Sequence, residues 1–396
     1  MVDAEAPKVL FLDHCARESG AELALAQMAA GLSRYVPVVV LGEEGPLCTR
    51  LRRAGVRVAI EPLAAGVRDF SRTDVGGLRS LLRAGDVVRY AHVLRALIGV
   101  ERPAVVHTNS MKAHVYGALA TRFTGVPLVM HVHDRISTDF MSRGGVHLMR
   151  TFLRLAPAAV VVNSRTTAAT VPASARGRRP FLVLPCPVPS PVAPVERAGE
   201  RRSLTFGVAG RITPWKGQDF VLRAFAAAFP PGAADHRLRI VGAPIFGEDD
   251  FLAALRRLVA ELGLDRRVEF RGHVPQIYPE LAEWDVLVHG SRIPEPFGQV
   301  VVEGMAAGLP VLAPDEGGPA EIIRPGETGL LYRARDEAAL AGAMRRVAAD
   351  PELRRRLSSR AVAAAARYDP GRVVPLLEDF YDRCTARVPA SVIVRS

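Results

Sequence analysis

The sequence predicts an α/β protein made of two doubly wound, Rossmann-like domains, and three observations carry that expectation. Short valine-rich runs without polar alternation recur along the chain, the pattern of strands covered on both faces in a parallel sheet. Stretches of helical period separate them, as strand–helix–strand units require. The pattern then stops at a proline-rich segment and starts again. A chain of 396 residues also exceeds one ordinary core and suits two.

In order, the first domain opens with the strand Val9–Leu12, followed by the helical AELALAQMAAGL. Strands are expected at Val36–Leu41, Val56–Ile60, Ala104–Thr108, Pro127–Asp134 and Ala158–Asn163, with helices between them. PCPVPSPVAPVERAGERR (Pro185–Arg202) has neither period and reads as a stiff, extended linker. Strands resume in SLTFGVAGR, HRLRIVGA, RRVEFRG, DVLVHGS and GLPVLAP, and helical stretches at Asp336–Tyr368 and roughly Arg372–Thr385 end the chain. The expected division is 1–187 for the first domain, 188–370 for the second, and 371–396 for a terminal helix and tail packing back on the first. Ligands of such sheets bind beyond the carboxyl ends of the strands.

Hydrophobic residues at 49% and charged ones at 23% describe a globular chain. No apolar run is long enough to span a bilayer, and the first ten residues lack a signal core. The four cysteines have neither disulfide nor metal spacing, so a cytoplasmic protein is expected. The net charge of +11 is uneven: 24 basic residues face 14 acidic ones up to Ser190, and 28 face 27 after it. An anionic partner of the first half is implied, either a phosphorylated acceptor or an anionic membrane surface at the inner face. FMSRGGVHLMRTFLRLAP (Phe140–Pro157) is a candidate amphipathic helix for such a surface. Nothing in the sequence points to nucleic acid.

Two stretches carry chemistry. In GVAGRITPWKGQDFVLRAF (Gly207–Phe225), a strand leads into a turn where Pro214 suits a helix start, and Arg211 and Lys216 flank that turn. Two cations beside a helix N-terminus would hold a diphosphate. In EPFGQVVVEGMAAG, Pro296 and Gly298 place Glu295 in a loop, and Glu303 falls in the second turn of the helix that follows. Glu303 could accept two hydrogen bonds from a ribose hydroxyl pair. Glu295 could contact a sugar, with the amides of Phe297 and Gly298 nearby.

GRITPWKG and EPFGQVVVEGMAAGLPVLAPDEGGPAEII resemble the paired signatures of the family 4 retaining glycosyltransferases of GT-B fold. Gly210, Arg211, Lys216 and Gly217 match the family's phosphate-binding G-R-x-x-x-x-K-G element, and Glu295 and Glu303 its E-x7-E element. The likeness is dense over the second domain and loose over the first. It implies two domains facing each other across a cleft, and transfer of a sugar from a nucleotide-sugar donor with retention. Arg211 and Lys216 would then bind the diphosphate, Glu303 the ribose, and Glu295 with the turn behind it the sugar. ESGAE (Glu18–Glu22) is similar to the glycine-rich turn that meets the donor phosphate, with only Gly20 of its usual two glycines. His133, after a strand, matches the histidine beside the reacting sugar; His131 lies on the same side of that strand. His107 and Asn109 are acceptor-side candidates. No cofactor and no metal are expected, since the donor is itself the substrate and no Asp-x-Asp triplet occurs. An epimerase of the same fold, or a nucleotide-sugar-binding protein without catalysis, would use the same residues.

Overall fold

The computed structural model describes residues 6–64, 84–177, 179–191, 203–230, 232, 235–245 and 247–386. They form two compact units, one holding the chain up to Pro187 together with the segment from Pro370, the other Val188–Asp369.

The first unit has a seven-stranded sheet of β1 (Lys8–Asp13), β2 (Val36–Leu41), β3 (Arg57–Ile60), β4 (Val105–Thr108), β5 (Leu128–Val132), β6 (Ala159–Val162) and β7 (Phe181–Val183). Their spatial order is β3-β2-β1-β4-β5-β6-β7, and all pairs are parallel. Alternate residues feed two cores. Leu10, Leu12, Val106 and Met130 meet Leu94, Tyr116 and Leu153 of the helices Ala84–Glu101, Met111–Thr121 and Arg143–Leu155. Val9, Phe11, Val105 and Val129 meet Leu25 and Met28 of the helix Gly20–Gly31. The last helix, Pro370–Thr385, completes that second layer with Leu377, Phe380 and Tyr381. Its buried Glu378 accepts from the amides of Ser33 at 2.7 Å and Arg34 at 2.6 Å, satisfying backbone just beyond the end of helix Gly20–Gly31.

The second unit has six parallel strands, β8 (Thr205–Ala209), β9 (Arg237–Val241), β10 (Val268–Gly272), β11 (Val286–Val288), β12 (Val311–Pro314) and β13 (Leu330–Tyr332). Their order is β10-β9-β8-β11-β12-β13. Both sheets reverse direction of growth beside their first strand, between β1 and β4 and between β8 and β11, which is where ligands of such sheets bind. β8 and β11 lie close enough that Trp284 packs flat on Gly207, where a Cβ would come within 1.9 Å of its ring.

Three expectations change. The stretch Asp336–Tyr368 is two helices, Glu337–Ala349 and Pro351–Ala365, because Asp350 caps the second through the Leu353 amide (2.8 Å) and Pro351 occupies its first position. The candidate membrane helix forms as Arg143–Leu155, but its apolar stripe is spent inside the protein: Met149 and Leu153 are buried in the first core, with Val146 and Phe152 packed against it. In the expected linker, residues 192–202 lie outside the described residues, while Cys186 and Val188 are buried. No helix among the described residues is long and apolar enough to cross a membrane.

Candidate active site

In the second unit the site residues converge beyond the carboxyl ends of β8 and β11. After β8, Gly210 leads to Arg211 and then to a 3-10 turn, Pro214–Lys216. Pro214 therefore starts this turn, and the longer helix begins only at Gln218. Gly217 joins the two at φ +68°, and a Cβ there would stand 2.2 Å from the Gly290 carbonyl, so neither the angle nor the space admits another residue. Gln218 locks the turn by donating to the Arg211 carbonyl at 2.9 Å. The ring of Trp215 lies against both cations, its centre 4.6 Å from Lys216 Nζ and 5.9 Å from the Arg211 guanidinium carbon.

Lys216 Nζ reaches Glu295, at 2.6 Å from Oε1 and 2.8 Å from Oε2. Ser291 donates to Oε2 at 2.7 Å, and His289 Nε2 lies 3.3 Å from the same oxygen. Burial raises the Glu295 carboxyl, but Lys216 and His289 outweigh it and hold it well below the usual carboxylate range. The loop carrying Glu295 is held from behind. Its carbonyl accepts from the Gly318 amide at 2.8 Å, and Phe297 buries its ring edge-on against Tyr368 at 5.8 Å. Gly298, at φ +97°, then starts the helix Gln299–Ala306.

Glu303 is half-buried in the second turn of that helix, and its carboxylate has no hydrogen-bond partner among the described residues. Burial pushes its pKa up to about 7 against the pull of Lys216. One ammonium thus influences both acids, one paired and ionised, the other with both oxygens open to hydroxyl donors.

In the first unit, Gly20 begins the helix Gly20–Gly31, but the Ser19 hydroxyl donates to Glu22 instead of capping. Burial and the Asp13 charge raise the Glu22 carboxyl. Past the ends of β1, β4 and β5 lies a chain of hydrogen bonds. Asn109 Nδ2 donates to Asp13 Oδ2 at 2.8 Å and to the Ala21 carbonyl at 3.1 Å. Both partners accept only, so Oδ1 must face His133 Nε2, 2.8 Å away, and that nitrogen must carry the proton. His133 is thereby the Nε2–H tautomer, and its buried Nδ1 keeps a lone pair without a partner. Burial lowers its pKa to about 4, against the pull of Asp134 and Asp13. His131 lies against it, ring centres 3.9 Å apart and tilted by 31°, and has no exposed surface, whereas His133 keeps 8%.

His107 does not line an acceptor surface. It is wholly buried beside Phe11, and its Nδ1 meets the Tyr381 hydroxyl at 2.6 Å, so the terminal helix covers it. Asn109, only 1% exposed, bonds His133 and presents no surface of its own. Among the described residues, Asp13, His14 and Cys15 place ligand atoms within 4.8 Å of one another. Asp13 accepts from Asn109 and from the His14 amide, His14 Nδ1 contacts Asp13 and Ser110, and the Cys15 thiol donates to Glu22.

Residues 19–190 match the profile described as Glycosyltransferase Family 4, and residues 197–363 match Glycosyl transferases group 1. The chain belongs to the family 4 glycosyltransferases of GT-B fold. It is 31% identical over 287 residues to the D-inositol 3-phosphate glycosyltransferase of Acidothermus cellulolyticus, covering 67% of this chain and 63% of that one. The Nocardioides enzyme of the same name is 27% identical, over 89% and 88% of the two chains. For most of the curated relatives compared, the match spans less than half of their length. Among solved structures, Anabaena HepE, determined with UDP and glucose and with UDP-glucose, superposes with a TM-score of 0.80 at 26% identity, over 95% of this chain. The sucrose-phosphate synthase of Thermosynechococcus elongatus superposes at 0.76 and 19% identity, over 96% of this chain and 99% of that one, a likeness of fold.

Within this glycosyltransferase, sequence reasoning missed the residues that brace the site. His289 and Ser291 follow β11 directly, in DVLVHGS, and Asp13 ends β1. The signal was their place: each stands at the carboxyl end of a strand next to a sheet's reversal point.

Proposed function

We propose that this chain transfers a sugar, with retention, from a UDP-sugar to a phosphorylated hydroxyl compound on the cytoplasmic side of the membrane, without a metal ion. The observation that carries the reading is the cluster of Arg211, Lys216, Glu295 and Glu303 in one neighbourhood of the second unit. Breaking the bond between the anomeric carbon and the diphosphate leaves negative charge on the leaving group. Arg211 and Lys216, fixed beside Trp215 and the Gly217 turn, supply positive potential where that charge appears. Lys216 would do so while keeping Glu295 ionised, so Glu295 accepts hydroxyl hydrogen bonds from the sugar. Glu303 takes the ribose hydroxyl pair. His133, held neutral with an unpartnered Nδ1, can accept a hydrogen bond there and does not act as an acid.

A uridine donor is supported by the nucleotide and sugar in HepE, and a phosphorylated acceptor by the relatives' name together with the basic first half. The test is calorimetry of UDP-glucose and GDP-mannose in EDTA, followed by turnover on inositol and inositol phosphate with NMR of the product's anomeric proton. UDP-glucose binding in EDTA and an α-linked product on the phosphorylated acceptor are expected. Inversion, a strict metal requirement, or release of an epimer without acceptor would overturn the reading.

A further inference from the structure

The helices Ala84–Glu101, Met111–Thr121 and Arg143–Leu155 lie in one layer of the first unit, and each runs down to the amino end of the next strand. Those strands, β4, β5 and β6, are adjacent. Their three approaches therefore emerge side by side, at the end of the sheet opposite to His133 and Asn109. Each exposes one large apolar side chain: Val100 is 77% exposed, Phe123 87% and Leu155 75%. Each has an exposed arginine one or two residues away, Arg102, Arg122 and Arg154. Arg176, also exposed, adds to them on the approach to β7.

Phe123 is the telling residue. Its φ of +68° is a conformation that bulky side chains rarely adopt, and the chain holds it there with the Arg122 guanidinium 4.8 Å from the ring centre. Arg102 also has positive φ, at +48°. Two of the three helix ends need no cations from this set, because other arginines serve them. Arg95 donates to the Leu119 and Ala120 carbonyls at 2.7 and 3.2 Å, and Arg179 to Arg154 and Pro157. In these four approaches Glu101 is the only acid, and Lys8 and Arg57 already hold it.

We propose that this end of the first unit is a docking face for an anionic lipid bilayer, with Phe123, Val100 and Leu155 entering the headgroup layer and the arginines meeting lipid phosphates. A protein partner would need a continuous apolar centre with little charge, whereas here single apolar tips alternate with cations. A headgroup layer accommodates that alternation. The face differs from the one expected in sequence: the stripe of helix Arg143–Leu155 is buried, and only its last turn belongs to the surface. Docking there leaves the carboxyl ends of the sheet uncovered. The inference stands apart from the transfer reaction, and its assay reads no turnover.

The full chain is sedimented with phosphatidylglycerol vesicles and with phosphatidylcholine vesicles at low and high salt. Binding to the first alone, released by salt, is expected. Arg122→Glu with Arg154→Glu should lower partition by about tenfold or more. Phe123→Asp with Leu155→Asp should lower it as far while leaving the circular dichroism and donor binding unchanged. Phe123→Gly should raise the melting temperature yet weaken vesicle binding, since it frees the strained backbone and removes the ring. No binding at low salt, or binding by either double variant equal to that of the unaltered chain, overturns the proposal. So does a concentration-dependent dimer that Phe123→Asp abolishes, because the face would then belong to a second copy.

Discussion

Lys216 and Glu295 come from signatures 79 residues apart, yet they meet as a pair whose side chains are only 14% and 11% exposed. Removing the lysine therefore does more than delete a phosphate ligand. Lys216→Ala leaves a buried carboxylate with only Ser291 and His289, and should cost about 3 kcal/mol of stability. It should also cost about a hundredfold in turnover. The double variant Lys216→Met, Glu295→Gln should recover the melting temperature and not the activity, which separates the two effects. Glu303 makes the complementary case. Its raised pKa, about 7, means the unliganded protein holds a proton there below about pH 7. Its contribution to stability is then fully present below the ordinary glutamate value and lost as pH rises through about 7. Donor hydroxyls bind the ionised form, so calorimetric affinity for the nucleotide should climb as pH rises through about 7 and then level. Glu303→Gln should bind more weakly with no such slope; a slope that persists would assign the titration to another group.

At the scale of elements, positions with no alternative decide the geometry. Gly217→Ala meets both a positive φ and the Gly290 carbonyl, so the turn holding Arg211 and Lys216 must shift. Donor affinity should fall at least tenfold, measured by calorimetry, because phosphate contacts depend on that turn. Truncation after Asp369 removes Leu377, Phe380 and Tyr381 from the second layer and Glu378 from the Ser33 and Arg34 amides. Large core deletions cost about 2–5 kcal/mol each, so the shortened chain should not give a folded first unit by hydrogen exchange. The strands were legible because Val-rich runs have one reading when helices alternate with them, and β2 falls on its expected residues, Val36–Leu41. β7 and β13, FLV and LLY, were not expected as strands; β11, also three residues long, was expected because its run is valine-rich. The amphipathic stripe of Arg143–Leu155 was legible as a stripe, but a sequence cannot say whether a sheet or a membrane covers it. The signatures gave the residues that cluster beyond β8 and β11; the Lys216–Glu295 bond and the Asp13–Asn109–His133 chain depend on contacts between distant segments.

At the scale of the whole molecule, the two units store their titrating groups differently. The first buries His107, His114, His131 and His133 with pKa values pushed down by burial, to about 3 for His114 and about 4 for His133. Unfolding lets each take a proton near pH 6.5, so between about 6.5 and 4 the unfolded state binds more protons, and stability falls as pH falls. Each contributes up to about 1.4 kcal/mol per pH unit in that window. Among the described residues of the second unit, burial lowers the pKa of one histidine, His236. That unit's Glu295 carboxylate, held low, contributes stability above the ordinary glutamate value near 4.5 and loses it only below, and Glu303 moves the other way. Both tryptophans, Trp215 and Trp284, lie in the second unit, so their fluorescence reports on it alone. An acid titration should therefore show two events. Far-ultraviolet circular dichroism should lose part of its amplitude near about pH 5 while tryptophan emission stays native, and emission should change only at lower pH. His114→Gln, which removes one of the four neutral histidines, should move the first event to lower pH and leave the second in place. Coincident transitions by both probes would show instead that the units unfold as one.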